Sequence, residues 1–421
     1  MKKGFMKTMT KTREWILYTG CGLLIAALSF ALFYRTAMAD VGDLIFHART
    51  ADSLGLLRSI SVGEYISTVE FSHILGYPAW HFVCKVMIEL LSAVAHPETE
   101  EAVQQILAIA ASMANTFFLL ITFGLYIAVF RHFFQGTHKN LLAAAGACAM
   151  VFAGPLYCKL INPAYYWGQD SVAIWHNPTY LAVEPLALLC FFLYLKMAEE
   201  KRTDWRQFVM FGTLLLISGL FKPSFYQMFI PALVIFCVVN TLYTRWEAFR
   251  FSLCTAFSVV PSGLLALVQM NILSDADAKI DEANGMAVGL FKVLGYYSPH
   301  PLLSTALTLG FPLVMLVICR KELLKNKMLL LAGCAVLSGF LQYALLYKEV
   351  NTYAGDFGWG YSLSLVLIFT ACLIRLNQRF HNGERRGPLY VGLTVFGLHV
   401  FFGLLYYKEI LLHMNLYGPL W

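Results

Sequence analysis

Asp40, Asp43 and His47 are the first residues of this 421-residue chain whose types and spacing could do chemistry. If 41–57 is helical, intervals of three and four put them on one face. Two carboxylates and an imidazole at a membrane surface could take a proton from a hydroxyl acceptor or hold a divalent cation. The same residues also suit a structural job. Asp40 is a good N-cap and Asp43 would sit at N3, where negative charge favours a helix start. A capping carboxylate can also face a site, so the two roles are compatible.

A second group lies in 161–180. Tyr166, Trp167 and Trp175 are mixed with Asp170, His176 and Asn177. Such a set suits a sugar, whose apolar faces stack on rings while its hydroxyls bond polar groups. An interfacial aromatic belt would explain the rings but not Asp170, His176 or Asn177. Asn177-Pro178 reads as a cap and first turn, so a helix starts there. Glu184 follows inside an apolar run and should face the protein interior.

Lys222, in Phe221-Lys222-Pro223-Ser224-Phe225, sits in a short turn near a membrane surface. A point positive charge there suits a lipid-linked phosphate, and it also suits a snorkelling lysine. Arg35, Arg49, Arg58, Lys159, Lys292 and Lys348 could do the same job, though an interface charge explains each. Asp275, Asp277, Asp281 and Glu282 form an acidic run without EF-hand spacing. After it, Tyr297 and His300 in Gly295–His300 could close over a substrate, and Trp359 in Asn351–Tyr361 could act as a sugar platform or lid.

The elements that must position these residues are membrane helices. The chain is 59% hydrophobic and 13% charged, with net charge +6 and mean hydropathy +0.64. A soluble domain carries about a quarter charged residues. Apolar runs lie near 15–34, 104–130, 141–160, 178–198, 207–221, 225–243, 251–271, 301–319, 328–347, 361–376 and 389–407. Backbone in lipid must satisfy itself internally, so each run reads as a helix. The expected fold is therefore an all-α polytopic membrane protein, one domain over 1–421 with eleven transmembrane helices.

Ile74–Ala95 carries His81, Lys85 and Glu89 as one polar stripe and reads as an interfacial helix in the first outer loop. If it does not cross, the cytoplasmic segments hold 20 of the 31 Lys and Arg, as the positive-inside rule asks. The N-terminus is then cytoplasmic and the C-terminus outside, with outer loops 35–103, 161–177, 272–300 and 348–360. Chemistry belongs to that outer face. Basic residues before the first run and Ala37-Met38-Ala39 after it resemble a signal peptide, but the run is longer than a signal core, favouring an uncleaved first helix. The cations form no basic face, which argues against a nucleic-acid partner. The ten cysteines follow no paired or CxxC pattern, so no disulfide framework or zinc site is implied. No P-loop, GxSxG or HExxH motif occurs, and no internal repeat is visible.

A basic N-terminus, a first helix, a long outer loop opening with Asp40 and Asp43, and an interfacial helix in that loop resemble the C-type membrane glycosyltransferase superfamily. Trp175-His176-Asn177-Pro178-Thr179-Tyr180 and Phe221-Lys222-Pro223-Ser224-Phe225 also resemble uncharacterised bacterial surface-polysaccharide membrane proteins. The resemblance implies a plasma-membrane enzyme of cell-envelope polysaccharide biosynthesis. It would move a sugar from a polyprenyl-phosphate donor to a lipid-linked or glycan acceptor. In that scheme Asp40 or Asp43 is the base, His47 an orienting partner or metal ligand, and Lys222 the phosphate contact. A soluble C-terminal domain like that of larger members is not expected from these 421 residues, which leaves protein acceptors in doubt. A polysaccharide polymerase or ligase and a glycan or lipid transporter remain as alternatives.

Overall fold

The computed structural model describes residues 2–54, 74–200, 203–278, 285–349 and 352–420. Arg58, Asp281 and Glu282 lie outside the described residues, as do the side chains of Asp275 and Asp277. The described elements are α1 (Lys2–Met38), α2 (Leu44–Asp52), α3 (Ala79–Ala95), α4 (Glu100–Phe133), α5 (Lys139–Phe152), α6 (Pro178–Glu199), α7 (Trp205–Phe221), α8 (Ser224–Tyr243) and α9 (Phe249–Ala278). They continue with β1 (Met286–Val288), α10 (Lys292–Tyr297), α11 (Pro301–Thr308), α12 (Gly310–Cys319), α13 (Lys327–Leu345), β2 (Leu346–Lys348), α14 (Gly358–His381) and α15 (Arg386–His413). The protein is an all-α integral membrane protein, with one two-stranded ribbon among the described residues.

Among the described residues eight helices are long and apolar enough to cross a bilayer, or nine if the bent pair α11–α12 is one crossing. This corrects the expected eleven. The apolar run 141–160 stays helical only to Phe152, giving 14 residues, about 21 Å against a hydrocarbon core of about 30 Å. Gly154-Pro155 ends it, because the residue before a proline is driven out of the helical region. α7 has 17 residues and is also short. The run 301–319 is broken by a 71° bend. Pro312 has no N–H to offer Thr308 and its ring crowds that carbonyl. Hydropathy counts all three runs as crossings because it registers neither the length of a helix nor a break in it.

A buried histidine holds the broken region together. His399 of α15 contacts the Gly154 carbonyl through Nδ1 at 2.6 Å, and its Nε2 accepts from the Phe311 N–H at 3.1 Å. The second bond places the ring proton on Nδ1, so one neutral imidazole serves both chain breaks. Nearby, α15 crosses the end of α5 at Gly403. A Cβ there would lie 1.6 Å from the Phe152 carbonyl oxygen, and backbone cannot swing aside as a side chain can. Gly403→Ala should therefore cost about 1–3 kcal/mol by overpacking. The check is the melting temperature of the detergent-purified protein, and a melt equal to wild type would refute this crossing.

α14 is the central helix, with 89% of its apolar window buried, whereas α9 is 17% buried and peripheral. The loops richest in Lys and Arg gather at one end. There Glu14 meets Arg131 and Asn140, and Glu322 meets Arg375 and Arg379. At the opposite end lie α2, the 153–177 loop, the α7–α8 turn, the β1–β2 ribbon and the C-terminal tail.

α3 is built the wrong way round for a surface helix in water. Phe82, Val86, Leu90 and Val94, four apart, are exposed, while His81 and Lys85 are buried. The polar stripe read from the sequence is the inward face. Lys85 Nζ lies 3.0 Å from Asp52 Oδ1 and 2.7 Å from Glu89 Oε1. His81 Nε2 is 2.9 Å from His47 Nδ1.

Candidate functional site

Gly42, at φ +80°, turns the chain between α1 and α2. A Cβ on it would stand 3.1 Å from His176 Cβ and 3.0 Å from Leu416 Cδ1, and the left-handed backbone asks for glycine as well. The turn lets the Asp43 N–H donate to the His176 carbonyl at 3.3 Å. Asp43 is itself the N-cap of α2, which starts at Leu44, so the helix expected over 41–57 begins later and Asp43 does not occupy N3. Its carboxylate makes no capping bond. Instead Asn177 Nδ2 donates to Asp43 Oδ2 at 2.9 Å.

Asn177 is the hinge of this network. Its Oδ1 caps α6 by accepting from the Tyr180 N–H at 2.9 Å, as the Asn-Pro signal indicated. The same oxygen accepts from Lys222 Nζ at 3.1 Å and from Thr179 Oγ1 at 2.9 Å. Lys222 also donates to Thr179 Oγ1 at 3.0 Å and sits 4.6 Å above the Trp359 ring. Lysine, amide and carboxylate thus form one chain, which fixes Asp43 by way of Asn177.

These residues bound an open pocket of about 610 Å³ lined by Asp43, Asp170, His176, Tyr166, Trp167, Gly168, Tyr297, Tyr343, Gly355, Trp359 and Tyr417. The rings form a shelf, with Trp167 4.4 Å from Tyr297 and 4.8 Å from Tyr417 between centroids. His176 packs edge-on to Tyr166 at 4.7 Å. Two polar atoms of the pocket residues are buried without a hydrogen-bond partner among the described residues: Asp170 Oδ2 and His176 Nδ1. A ligand's hydroxyls would satisfy both.

The electrostatics follow from burial. Asp170, at φ +65°, has its carboxyl pushed up to about 7 by desolvation, which the neighbouring Ser362 only partly offsets. Burial holds His176 below its ordinary value, against the pull of Asp43 and with a further push from Lys222. Lys222 is brought down to about 8 by burial, opposed by Asp43 and Asp356. Among the described residues no Lys or Arg side chain lines the pocket, and its lining is carboxyl, imidazole and aromatic.

Asp170 gives a pH test. Below its ordinary value of 3.8 the group is neutral in the folded and the unfolded chain alike, and the fold keeps its full contribution. As pH rises towards about 7 the unfolded chain releases a proton that the folded chain retains, so that contribution is progressively lost. Asp170→Asn should flatten the fall in melting temperature across this window. An unchanged slope would sink the assignment.

The remaining expected residues are placed elsewhere. Asp40 is exposed at the rim, 3.5 Å from Arg49. His47 is buried against His81 and does not line the pocket, so Asp40, Asp43 and His47 do not share a site. Trp175 points inward among Phe33, Phe152 and Tyr407, and with Glu184 it lines a separate, nearly filled crevice. Glu184 faces the interior, as expected, and accepts from Tyr126 Oη at 2.7 Å. His300 is exposed at the start of α11. Lys222 lies behind the pocket wall and holds Asn177. Among the described residues no group of three His, Cys, Asp or Glu side chains could hold a metal ion.

Tyr343 and Tyr417 were not among the candidates. Tyr417 follows the last helix in a short tail, and its only signal is an aromatic side chain beyond the final apolar run. Fold and pocket together define a polytopic helical membrane protein with a polar, aromatic-walled pocket at one end of its bundle. Neither a family model nor a curated protein matches the chain.

Proposed function

We propose that this protein is a membrane glycosyltransferase that moves a sugar from a polyprenyl-phosphate-linked donor to a hydroxyl of a lipid-linked or glycan acceptor. The observation that carries this reading is the convergence of Asp43, Asp170 and His176 in one aromatic-walled pocket at the helix ends. Asp43 is the general base on the acceptor hydroxyl, held in position by Asn177. Asp170 and His176 bond the sugar hydroxyls, and Trp167, Tyr297, Trp359 and Tyr417 carry its apolar face. The donor phosphate, joined to the anomeric carbon, lies at the pocket mouth. As the acceptor oxygen bonds that carbon, the carbon–oxygen bond to the phosphate breaks, and polyprenyl phosphate leaves towards the lipid headgroups. In this reading the basic end of the bundle faces the cytoplasm of a bacterial plasma membrane and the pocket faces out.

Polar groups within the membrane give the transporter reading little support. Glu184, Gln269 and Gln342 are each engaged locally, with Tyr126, with Gly219 and Tyr226, and with Gln227, and none lines the pocket. The test is release of polyprenyl phosphate from a labelled polyprenyl-phosphate sugar by protein in nanodiscs. Release above that of empty nanodiscs is expected when acceptor is added. No release with any envelope acceptor fraction would defeat the proposal.

A further inference from the structure

At the basic end, far along the bundle from the aromatic pocket, two cavities meet. One is an apolar groove of about 840 Å³ in the seam between α7 and α9. Its α7 side is Trp205, Phe208, Val209, Gly212, Thr213 and Leu216, a single helical face. Across the seam lie Cys254, Phe257, Ser258 and Pro261 of α9. The helices close at Gly212, where a Cβ would come 2.6 Å from the Ser258 carbonyl oxygen. Val209 and Phe257 on the groove walls are exposed, and α9 is a peripheral membrane helix, so the groove opens to lipid.

The other cavity, about 820 Å³, is polar and is lined by Asn240, Thr244, Glu247, Arg250 and Lys327 among others. Thr203 lines both cavities, which adjoin at that residue. Asn240 is 5% exposed, yet its side-chain amide has no hydrogen-bond partner among the described residues. Arg250 is exposed and has no carboxylate partner among them either. Lys327 donates to the Ala198 carbonyl at the edge of the same pocket.

We propose that this paired cavity binds one diacyl glycerophospholipid. An acyl chain lies in the α7–α9 groove, and the phosphodiester sits against Arg250 and Lys327 with the Asn240 amide donating to a phosphate or ester oxygen. An apolar groove open to hydrocarbon ends in a pocket with cations and an unused amide donor, which is the layout of such a lipid. Among the described residues Arg250 brings to the lining a positive charge with no carboxylate partner, and a phosphodiester carries one negative charge to meet it. The site is independent of the sugar-transfer reading.

Native mass spectrometry of the full chain in detergent tests it. Protein is exposed to phosphatidylglycerol, to diacylglycerol with the same chains, and to polyprenyl phosphate. Wild type should retain one phosphatidylglycerol and little diacylglycerol. Arg250→Gln, at an exposed position that folding should tolerate, should cut the retained phosphatidylglycerol about ten-fold, the scale of one charge-assisted hydrogen bond. Thr213→Phe, which fills the groove, should cut it as well, while Arg320→Gln elsewhere at this end should not. Equal retention of diacylglycerol, wild-type retention by Arg250→Gln, or preferential binding of polyprenyl phosphate would overturn the proposal.

Discussion

Asp43→Asn is expected to abolish sugar transfer, by about 10²–10⁴-fold in kcat, the usual contribution of a positioned general base. The replacement has the same shape, and the Asn177 amide that donates to Asp43 Oδ2 can donate equally to an amide oxygen. The melting temperature should therefore stay close to wild type while the proton acceptor is gone. Asp40→Asn is the internal control. Asp40 is exposed at the rim beside Arg49, so its loss should leave kcat within about two-fold, as expected of a surface pair of small energetic value. Full activity in Asp43→Asn, or an equal loss in both variants, would remove Asp43 as the base.

The second large effect is on stability. Lys85 is buried between Asp52 and Glu89, where α3 packs on α2. Lys85→Met keeps the length and apolar stem of the side chain but removes the cation those carboxylates face. Removing one partner of a buried ion pair costs about 3–5 kcal/mol. The variant should melt well below wild type in detergent, or fail to give monodisperse protein. Lys85→Arg, which keeps the charge in a bulkier form, should fall between them. A melt within a degree of wild type for Lys85→Met would show that the cluster contributes little to holding α3 in place.

How far the sequence carried can be judged from these residues. The start of α6 was legible because its cause is local: Asn177 caps and Pro178 fits the first turn. The inward placement of Glu184 followed from the cost of charge in hydrocarbon. Asp43, Asp170, His176, Tyr297 and Trp359 could be assigned to one end because charge bias sorts loops by side. Their meeting in one pocket depends on packing that no periodicity encodes.

Other features could be seen but not oriented. The stripe of His81, Lys85 and Glu89 shows that α3 has two unlike faces, without showing that the apolar one turns outward. Asp52 joins that cluster from another helix, so nothing near it in sequence names its partner. Pro155 and Pro312 stand inside apolar runs, and hydropathy, which does not register a proline's missing N–H, overcounts the crossings there. Asp40 parts from Asp43 because the chain turns at Asp40 and Gly42, both with positive φ, and His47, one turn along the helix from Asp43, is taken up by His81.

The short ribbon has a mechanical consequence at the pocket mouth. Met286–Val288 pairs antiparallel with Leu346–Lys348, and Lys348 reaches Asp356 at 2.7 Å. The stretch leading to Tyr297 and the stretch leading to Gly355 and Trp359 are thereby stitched into a single leaf. Tyr297 Oη also donates to the Tyr353 carbonyl at 2.5 Å, so a strain applied to either stretch is carried to the other.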